Sequence, residues 1–187
     1  MSQLYEKFKH WGETGNIMFY SDPHFGDTDL AQYIEGGRPS DEEQIKSINS
    51  RVGRKDTLVI LGDVGDIECV KKLKGYKVLI MGNHDGGMTK FMEVFDEVYE
   101  GPVFIGKKIL LSHERIEMDF GLNIHGHIHD KTTLAIRKNL SGSITVNVCS
   151  DMIDYTPISL KALVRFGYLR DVKSIHRITI EKAEKGE

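Results

Sequence analysis

Five short apolar runs along the chain each end in a polar cluster. Residues 17–21, 57–61 and 78–81 are mostly apolar, without the polar alternation of a half-exposed strand. Continuous runs of this kind are typical of strands buried on both faces of a sheet. The runs at 109–111 and 122–124 have the same character. The polar clusters that follow the five runs are Asp22-Pro23-His24, Gly62-Asp63, Gly82-Asn83-His84-Asp85, Ser112-His113 and His125-Gly126-His127.

The rest of the pattern predicts helices and further strands. Ser40 and Glu43 have the spacing of a capping box, and Ile45, Ile48 and Val52 then follow on one helical face. Further helices are expected at 67–73, 88–99 and 158–164, and further strands at 103–105, 134–136, 144–148 and 174–180. Helices and strands alternate early and strands dominate later, which predicts a mixed α/β fold.

Composition narrows the class of protein. The 187 residues are 40% hydrophobic, which predicts one domain, with an N-terminal arm at 1–15 and a charged tail at 181–187. The formal net charge of -3 disfavours a nucleic-acid or membrane partner. Cys69 and Cys149 are too far apart for a zinc knuckle and suit a reducing compartment. Because no apolar run resembles a signal peptide or a membrane span, we expect a cytoplasmic protein.

The polar clusters predict a metal site when they are taken together. Asp22 and His24 flank a rigid proline, so a carboxylate and an imidazole can bind one cation there. A hard oxygen with a borderline nitrogen suits manganese, iron, zinc or nickel better than calcium. Any one cluster is more typical of an ordinary turn. Carboxylates that follow buried strands lie where α/β sheets hold their chemistry, however, and five such clusters predict one site built from five loops.

The ordered clusters resemble a known enzyme superfamily. They read Asp22-x-His24, Gly62-Asp63-x-x-Asp66, Gly82-Asn83-His84-Asp85, His113 and His125-Gly126-His127. This series resembles the calcineurin-like metallophosphoesterases, whose blocks run D-x-H, G-D-x-x-D, G-N-H-D/E, H and G-H-x-H or a close variant. The resemblance covers residues 16–127, and residues 147–160, with Asn147-Val-Cys-Ser-Asp151, are similar to the small bacterial and phage members. One departure is Asp27, where many small members have a histidine.

The resemblance implies a fold, a cofactor and a ligand set. The fold is a four-layer α/β/β/α sandwich with two mixed β-sheets, and the cofactor is a pair of divalent ions, expected to be manganese, with iron, zinc or nickel as alternatives. One ion would take Asp22, His24 and His127, the other would take Asn83, His113 and His125, and Asp63 would bridge them. Because five of the seven ligands are neutral, the pair keeps a charge of about +2 that attracts a phosphate ester. A hydroxide bridging the ions would attack phosphorus in line.

His84 and Asp66 are the predicted catalytic pair. His84 follows a predicted ligand directly and would stabilise the transition state or protonate the leaving oxygen. By the superfamily pattern Asp66 would orient His84 and keep it protonated, although Asp85 could take that role. The alternative for Asp66 is the N-cap of the helix at 67–73.

Three further polar residues are weaker candidates. Arg38 and Arg115 are predicted phosphate contacts, with a solvated surface arginine as the alternative for each. His129 has no vacant ligand role in this scheme and is expected beside the site or at the surface.

The predicted function is metal-dependent hydrolysis of a phosphomonoester or a phosphodiester. The substrate would be a small phosphorylated molecule, nucleotide derivatives included, and a nuclease is disfavoured because no basic patch interleaved with aromatic residues is visible. The alternatives are a non-catalytic scaffold and a phosphate-binding protein on the same fold. Scaffolds of this superfamily lose ligands or the histidine of the G-N-H block, and this chain has every one of them.

Overall fold

The structure is a computed structural model that describes residues 2–13, 15–34 and 36–185. The helices are α1 (Gln3–Lys9), α2 (Asp41–Arg51), α3 (Ile67–Lys71), α4 (Leu160–Arg165) and α5 (Ile175–Lys185), with 3-10 turns at Leu30–Gln32, Met88–Glu93 and Ser150–Ile153. The strands are β1 (Ile17–Tyr20), β2 (Thr57–Ile60), β3 (Tyr76–Ile80), β4 (Glu97–Tyr99), β5 (Val103–Ile105), β6 (Ile109–Leu111), β7 (Leu122–His125), β8 (Ile136–Lys138), β9 (Ile144–Asn147) and β10 (Ile158–Ser159).

The strands form two mixed five-stranded sheets. The first has the order β10-β1-β2-β3-β4, in which β1 to β4 are parallel and β10 is antiparallel to β1. The second has the order β5-β6-β7-β9-β8, in which β6, β7 and β9 are parallel and both outer strands are antiparallel to their neighbours. In each sheet the parallel strands run in one direction, so their carboxyl ends lie at the same end of the sheet. The predicted ligands lie at or just after these carboxyl ends.

Successive side chains of the first sheet point to opposite faces and so contribute to two separate hydrophobic cores. Phe19, Val59 and Ile80 of the first sheet share one cluster with Leu111 and Ile124 of the second, so these faces pack on each other. The opposite face of the first sheet packs against α2, α3 and the turn at Met88–Glu93. Strands β1 and β2 are therefore buried on both faces, which explains their continuous apolar sequences.

The prediction of two mixed sheets with helices is confirmed, whereas a second outer helical layer stays a prediction. On the outer side of β7, Asn123 is fully buried, and its Oδ1 accepts the backbone N–H of Ile116. Met118 accepts side-chain hydrogen bonds from Asn139 and Ser143. The loop at 114–120 thus covers part of that face.

Local sequence signals explain where α2 and α4 begin. Ser40 and Glu43 form the predicted capping box at the start of α2. Helix α4 begins at Leu160, later than predicted, because Ile158 and Ser159 pair with β1 and the Ser159 hydroxyl accepts the N–H of Ala162.

Three other predicted elements are corrected. Residues 88–99 form a 3-10 turn and strand β4, because Glu97–Tyr99 pairs with β3 as an edge strand. Residues 174–180 lie mostly in helix α5, not in a strand, because the segment continues into strong helix formers at 181–185. The strand predicted at 134–136 lies two residues later, where Ile136–Lys138 pairs with β9.

Residues 1 and 14 of the predicted arm and residues 186–187 of the predicted tail lie outside the described residues. Within the part of the chain that the structure describes, no helix is long and apolar enough to cross a membrane.

Candidate metal centre

The loops that follow β1, β2, β6, β7 and β9 are joined by backbone hydrogen bonds. The N–H of Asp22 donates to Gly62 O at 3.1 Å, and that of Gly126 donates to His113 O at 2.8 Å. The two sheets are linked where the N–H of Ser150 donates to Ser21 O at 2.9 Å. Polar side chains from both sheets are therefore brought to one place.

Two glycines allow the loops to approach the buried carboxylates. A Cβ on Gly82 would overlap Asp63 Oδ1, and one on Gly126 would overlap Asp22 Oδ2. A side chain at either position would push the carboxylate out of place, which explains why glycine precedes Asn83 and His127.

Backbone strain concentrates at the same loops. Positive φ angles occur at Asp22 (56°), His24 (41°), Asp63 (53°) and His127 (67°). A left-handed backbone costs free energy in residues with a side chain, and such strain clusters at functional sites. The fold holds these four side chains in unfavourable backbone conformations, and all four are predicted ligands.

One group of ligand atoms surrounds His113. Its Nδ1 lies 2.7 Å from Leu61 O, and a carbonyl only accepts, so Nδ1 carries the hydrogen. Its Nε2 lies 2.8 Å from Asn83 Oδ1, 3.1 Å from His127 Nδ1 and 3.3 Å from Asp63 Oδ2. In a neutral ring the lone pair of Nε2 faces the oxygens of Asn83 and Asp63, an arrangement that suits a proton or a cation at its centre.

A second group surrounds Asp22, which is fully buried. Asp22 Oδ2 accepts the backbone N–H of His127 at 2.9 Å, whereas Oδ1 has no hydrogen-bond partner among the described residues. His129 Nε2 lies 3.5 Å from Oδ1, and one ligand atom each of Asp22, His24 and His129 lie within 4.8 Å of one another. A buried carboxylate oxygen that is unsatisfied next to two imidazoles is suited to a cation.

Asp63 lies between the two groups. Its Oδ2 is 3.3 Å from His113 Nε2 and 3.6 Å from His24 Nε2, and its Oδ1 accepts the backbone N–H of His84 at 2.9 Å. Two atoms bound to one ion at about 2.1 Å lie roughly 3.0–3.5 Å apart. The spacings around Asp63 are close to that range, so the donor set fits a pair of ions that share this carboxylate.

The electrostatics of both groups favour positive charge. Burial opposes protonation of His113, but the hydrogen bond with Asp63 and the charge of Asp22 raise its pKa to about 9. Burial likewise opposes protonation of His129, but Asp151 and Asp22 raise its pKa to about 9. Burial opposes ionisation of Asp22 and Asp63, yet the contact with His129 lowers the pKa of Asp22 and the contact with His113 lowers the pKa of Asp63. Each group could therefore hold a cation.

The grouping of the histidines is corrected. His127, and not His125, lies beside His113 and Asn83, and His129, and not His127, lies with Asp22 and His24. His125 is buried with its Nδ1 2.9 Å from Gly126 O, and burial lowers its pKa to about 4. As the last residue of β7 it is held inside the fold, whereas the two histidines after Gly126 lie on the loop. Read from Gly126, the G-H-x-H block gives His127 and His129, so the signal was present in the sequence.

The predicted catalytic pair is not joined by a described contact. The exposed ring of His84 lies 5.8 Å from that of His24. The carboxylate of Asp66 accepts the N–H of Glu68 as the N-cap of α3, which is the structural alternative for this residue. Asp85 accepts the backbone N–H groups of Asp63, Val64 and Gly82, so it holds the loop, and no described contact joins it to the His84 ring.

The two arginines contact protein groups, and phosphate contact by either stays a prediction. Arg38 Nη2 donates to Pro23 O and to Asp22 O, which holds the loop after β1. Arg115 forms an ion pair with Glu117 at 3.2 Å. Asp27, the departure noted above, lies 3.6 Å from His24 Nδ1, on the side of the ring opposite Asp63.

Two cavities adjoin the centre. One of about 290 Å³ is lined by Asn83 and His113 together with Glu100, Pro102 and Ile116. The other, of about 380 Å³, is lined by His24 and Arg38 together with polar residues of 26–28 and 39–44. Both cavities are partly open to solvent, and each is lined in part by predicted ligands.

Comparisons with known proteins find relatives of uncharacterised function. No family model matches the chain. An uncharacterized protein of Methanocaldococcus jannaschii, MJ1445, is 32% identical over 170 residues, covering 80% of this chain and 89% of that protein. The crystal structure of AQ665 from Aquifex aeolicus, of unknown function, has a TM-score of 0.67 at 25% identity and covers 81% of this chain and 99% of that one. YfcE, a phosphoesterase from E. coli, has a TM-score of 0.41 at 18% identity, covering 71% and 78%.

Proposed function

The chain belongs to the same family as MJ1445, and from the centre that it carries we propose that it is a metal-dependent phosphoesterase of the calcineurin-like type. The observation that carries the proposal is the position of Asp63, whose Oδ2 faces His113 on one side and His24 on the other. A shared carboxylate between two groups of neutral and anionic donors suits two divalent ions.

The protein side chains would hold the ions in two sets. Asn83, His113 and His127 would bind one, Asp22, His24 and His129 would bind the other, and Asp63 would bind both. When bound, such a pair activates water and stabilises the charge that develops on a transferred phosphoryl group. Manganese is our first expectation, with iron, zinc or nickel accepted by the same donors.

The protein itself positions the phosphoryl group and assists the leaving oxygen. The exposed position of His84 beside the ligands supports its role as the group that protonates that oxygen. The cavities on the Asn83 and His24 sides would take the substituents of a small phosphomonoester or phosphodiester.

Hydrolysis of p-nitrophenyl phosphate and bis-p-nitrophenyl phosphate tests the proposal. We expect turnover of at least one of them with Mn²⁺, loss of turnover after chelation and recovery when Mn²⁺ is added back. Asp63→Asn should lose both bound metal and turnover because the shared carboxylate loses its charge. Asp119→Asn, which changes an exposed aspartate outside the ligand cluster, should keep both.

Two outcomes would contradict the proposal. Turnover that survives chelation would mean that the metal is not required. Binding of metal and phosphate without turnover, with Mn²⁺, Fe²⁺, Zn²⁺ or Ni²⁺, would favour the alternative of a phosphate-binding protein.

A further inference from the structure

We propose that Asp151 positions His129 as a metal ligand, an inference that rests on the proposed function. The two nitrogens of the His129 ring face two different carboxylates. Nε2 lies 3.5 Å from Asp22 Oδ1, and Nδ1 lies 3.0 Å from Asp151 Oδ1. Asp151 lies 22 residues beyond His129, and its role is visible only in the fold.

The contact between His129 and Asp151 selects one tautomer. A carboxylate accepts a hydrogen bond from Nδ1–H, so the lone pair of the ring is left on Nε2, the nitrogen that faces Asp22. A histidine ligand is oriented, and made a better donor, by such a partner on its other nitrogen. His113 has the same arrangement, with Leu61 O as the partner of Nδ1.

Asp151 is held through its Oδ1 oxygen. It is buried in the 3-10 turn that follows β9, and the thiol of Cys149 donates to its Oδ1 at 2.9 Å. The preceding residue, Ser150, donates through its hydroxyl to Asp22 O at 2.8 Å. The segment that carries Asp151 is therefore attached to the backbone of the ligand Asp22, and the carboxylate keeps a fixed position relative to that ligand.

A third metal site next to His129 is an alternative to the positioning role of Asp151. His129, Cys149 and Asp151 also bring ligand atoms within 4.8 Å of one another, which would suit a third cation. Binding there through Nδ1, while Nε2 binds the Asp22 site, would require His129 to lose both ring hydrogens. The hydrogen bond from the Cys149 thiol to Asp151 favours a positioning role. Three bound ions per chain would overturn our assignment.

Metal titration of the chelator-treated full chain tests the role of Asp151. Two background variants allow each site to be measured separately. Asn83→Ala weakens the site at His113 and keeps the site at Asp22, whereas His24→Ala weakens the site at Asp22 and keeps the site at His113. In the Asn83→Ala background, Asp151→Ala should weaken Mn²⁺ binding by about 10–100-fold. In the His24→Ala background the same change should alter the affinity by no more than about twofold.

Two further variants separate positioning from a general structural effect. Asp151→Asn keeps an acceptor for Nδ1–H, so its affinity at the Asp22 site should fall between those of the native chain and Asp151→Ala. Asp154→Asn removes an exposed charge from the same segment, at a left-handed position that asparagine tolerates, and should bind as the native chain does. If Asp151→Ala fails to fold, Asp151→Asn is compared with Asp154→Asn instead. A lower Mn²⁺ affinity of Asp151→Asn that is confined to the Asp22 site supports the positioning role, and equal affinities overturn it.

The results distinguish failure of the inference from failure of the proposed function. A native chain that binds no divalent ion contradicts the proposed function. Suppose instead that the native chain binds two ions. If Asp151→Ala then binds both ions as well as the native chain does, or loses affinity equally at both sites, only the role of Asp151 is contradicted.

Discussion

His84 occupies a different position from the proposed ligand Asn83, which precedes it in the sequence. Its backbone N–H donates to Asp63 Oδ1. Its ring is exposed, and within the described part of the chain the one aromatic ring recorded near it is that of His24. A side chain that supports a ligand through its backbone and faces outward is suited to meeting a substrate.

Replacing His84 should separate chemistry from metal binding. In His84→Ala the backbone hydrogen bond to Asp63 is retained, so the bound metal should be unchanged, whereas turnover should fall by about 10²–10⁴-fold through loss of the proton donor. Metal analysis and kcat on p-nitrophenyl substrates measure the two effects. Unchanged turnover would show that His84 has no role in the reaction.

At the scale of secondary-structure elements, the short helix α3 depends on its first turn. Five residues form it, and its N-cap Asp66 accepts the N–H of Glu68 at 2.9 Å. A helix of this length gains little from its own propensity and relies on capping and packing, here of Cys69 and Val70.

Variants of Asp66 should therefore affect stability more than catalysis. Asp66→Ala should lower the free energy of unfolding by about 0.5–2 kcal/mol because an N-cap is lost, and Asp66→Asn should change it little because asparagine caps equally well. Denaturant unfolding measures this difference. If Asp66→Asn instead lowers kcat as strongly as His84→Ala, Asp66 acts on His84 as the superfamily pattern implies.

How far the sequence predicts the molecule depends on the element. Runs such as 57–61 were predictable because burial on both faces leaves a continuous apolar pattern, and the polar residues after them marked the edge where Asp22, Asp63 and His113 meet. His125 and His129 were misassigned because residues 125–129 read His-Gly-His-Ile-His, which allows two readings of the block, and the end of β7 at His125 decides for the one that starts at Gly126. The helix at 175–185 was missed because four of its first six residues are β-branched.

At the scale of the whole molecule, the centre joins the two sheets. Asp22, His24, Asp63 and Asn83 follow strands of the first sheet, and His113, His127 and His129 follow strands of the second. Without metal, the charges that favour this junction are those of protonated His113 and His129 against the carboxylates of Asp22 and Asp63.

The metal-free protein should lose stability as the pH rises from about 6.5 to 9. The pKa values of His113 and His129 are raised to about 9 from the ordinary 6.5, so their stabilisation is complete below pH 6.5 and is lost as the pH passes through 9. Thermal unfolding of chelator-treated protein across this range measures the effect. His125, whose pKa is lowered to about 4, is already neutral there. A melting temperature that rises over this interval would contradict the assignment.

The division of the ligands between two sheets also fixes the order in which the protein can mature. During synthesis Asp22, His24, Asp63 and Asn83 leave the ribosome well before His113, His127 and His129. A nascent chain that ends before residue 113 therefore offers four of the seven proposed ligands. If these residues bind metal as proposed, tight binding of both ions would have to wait until the later three ligands are translated.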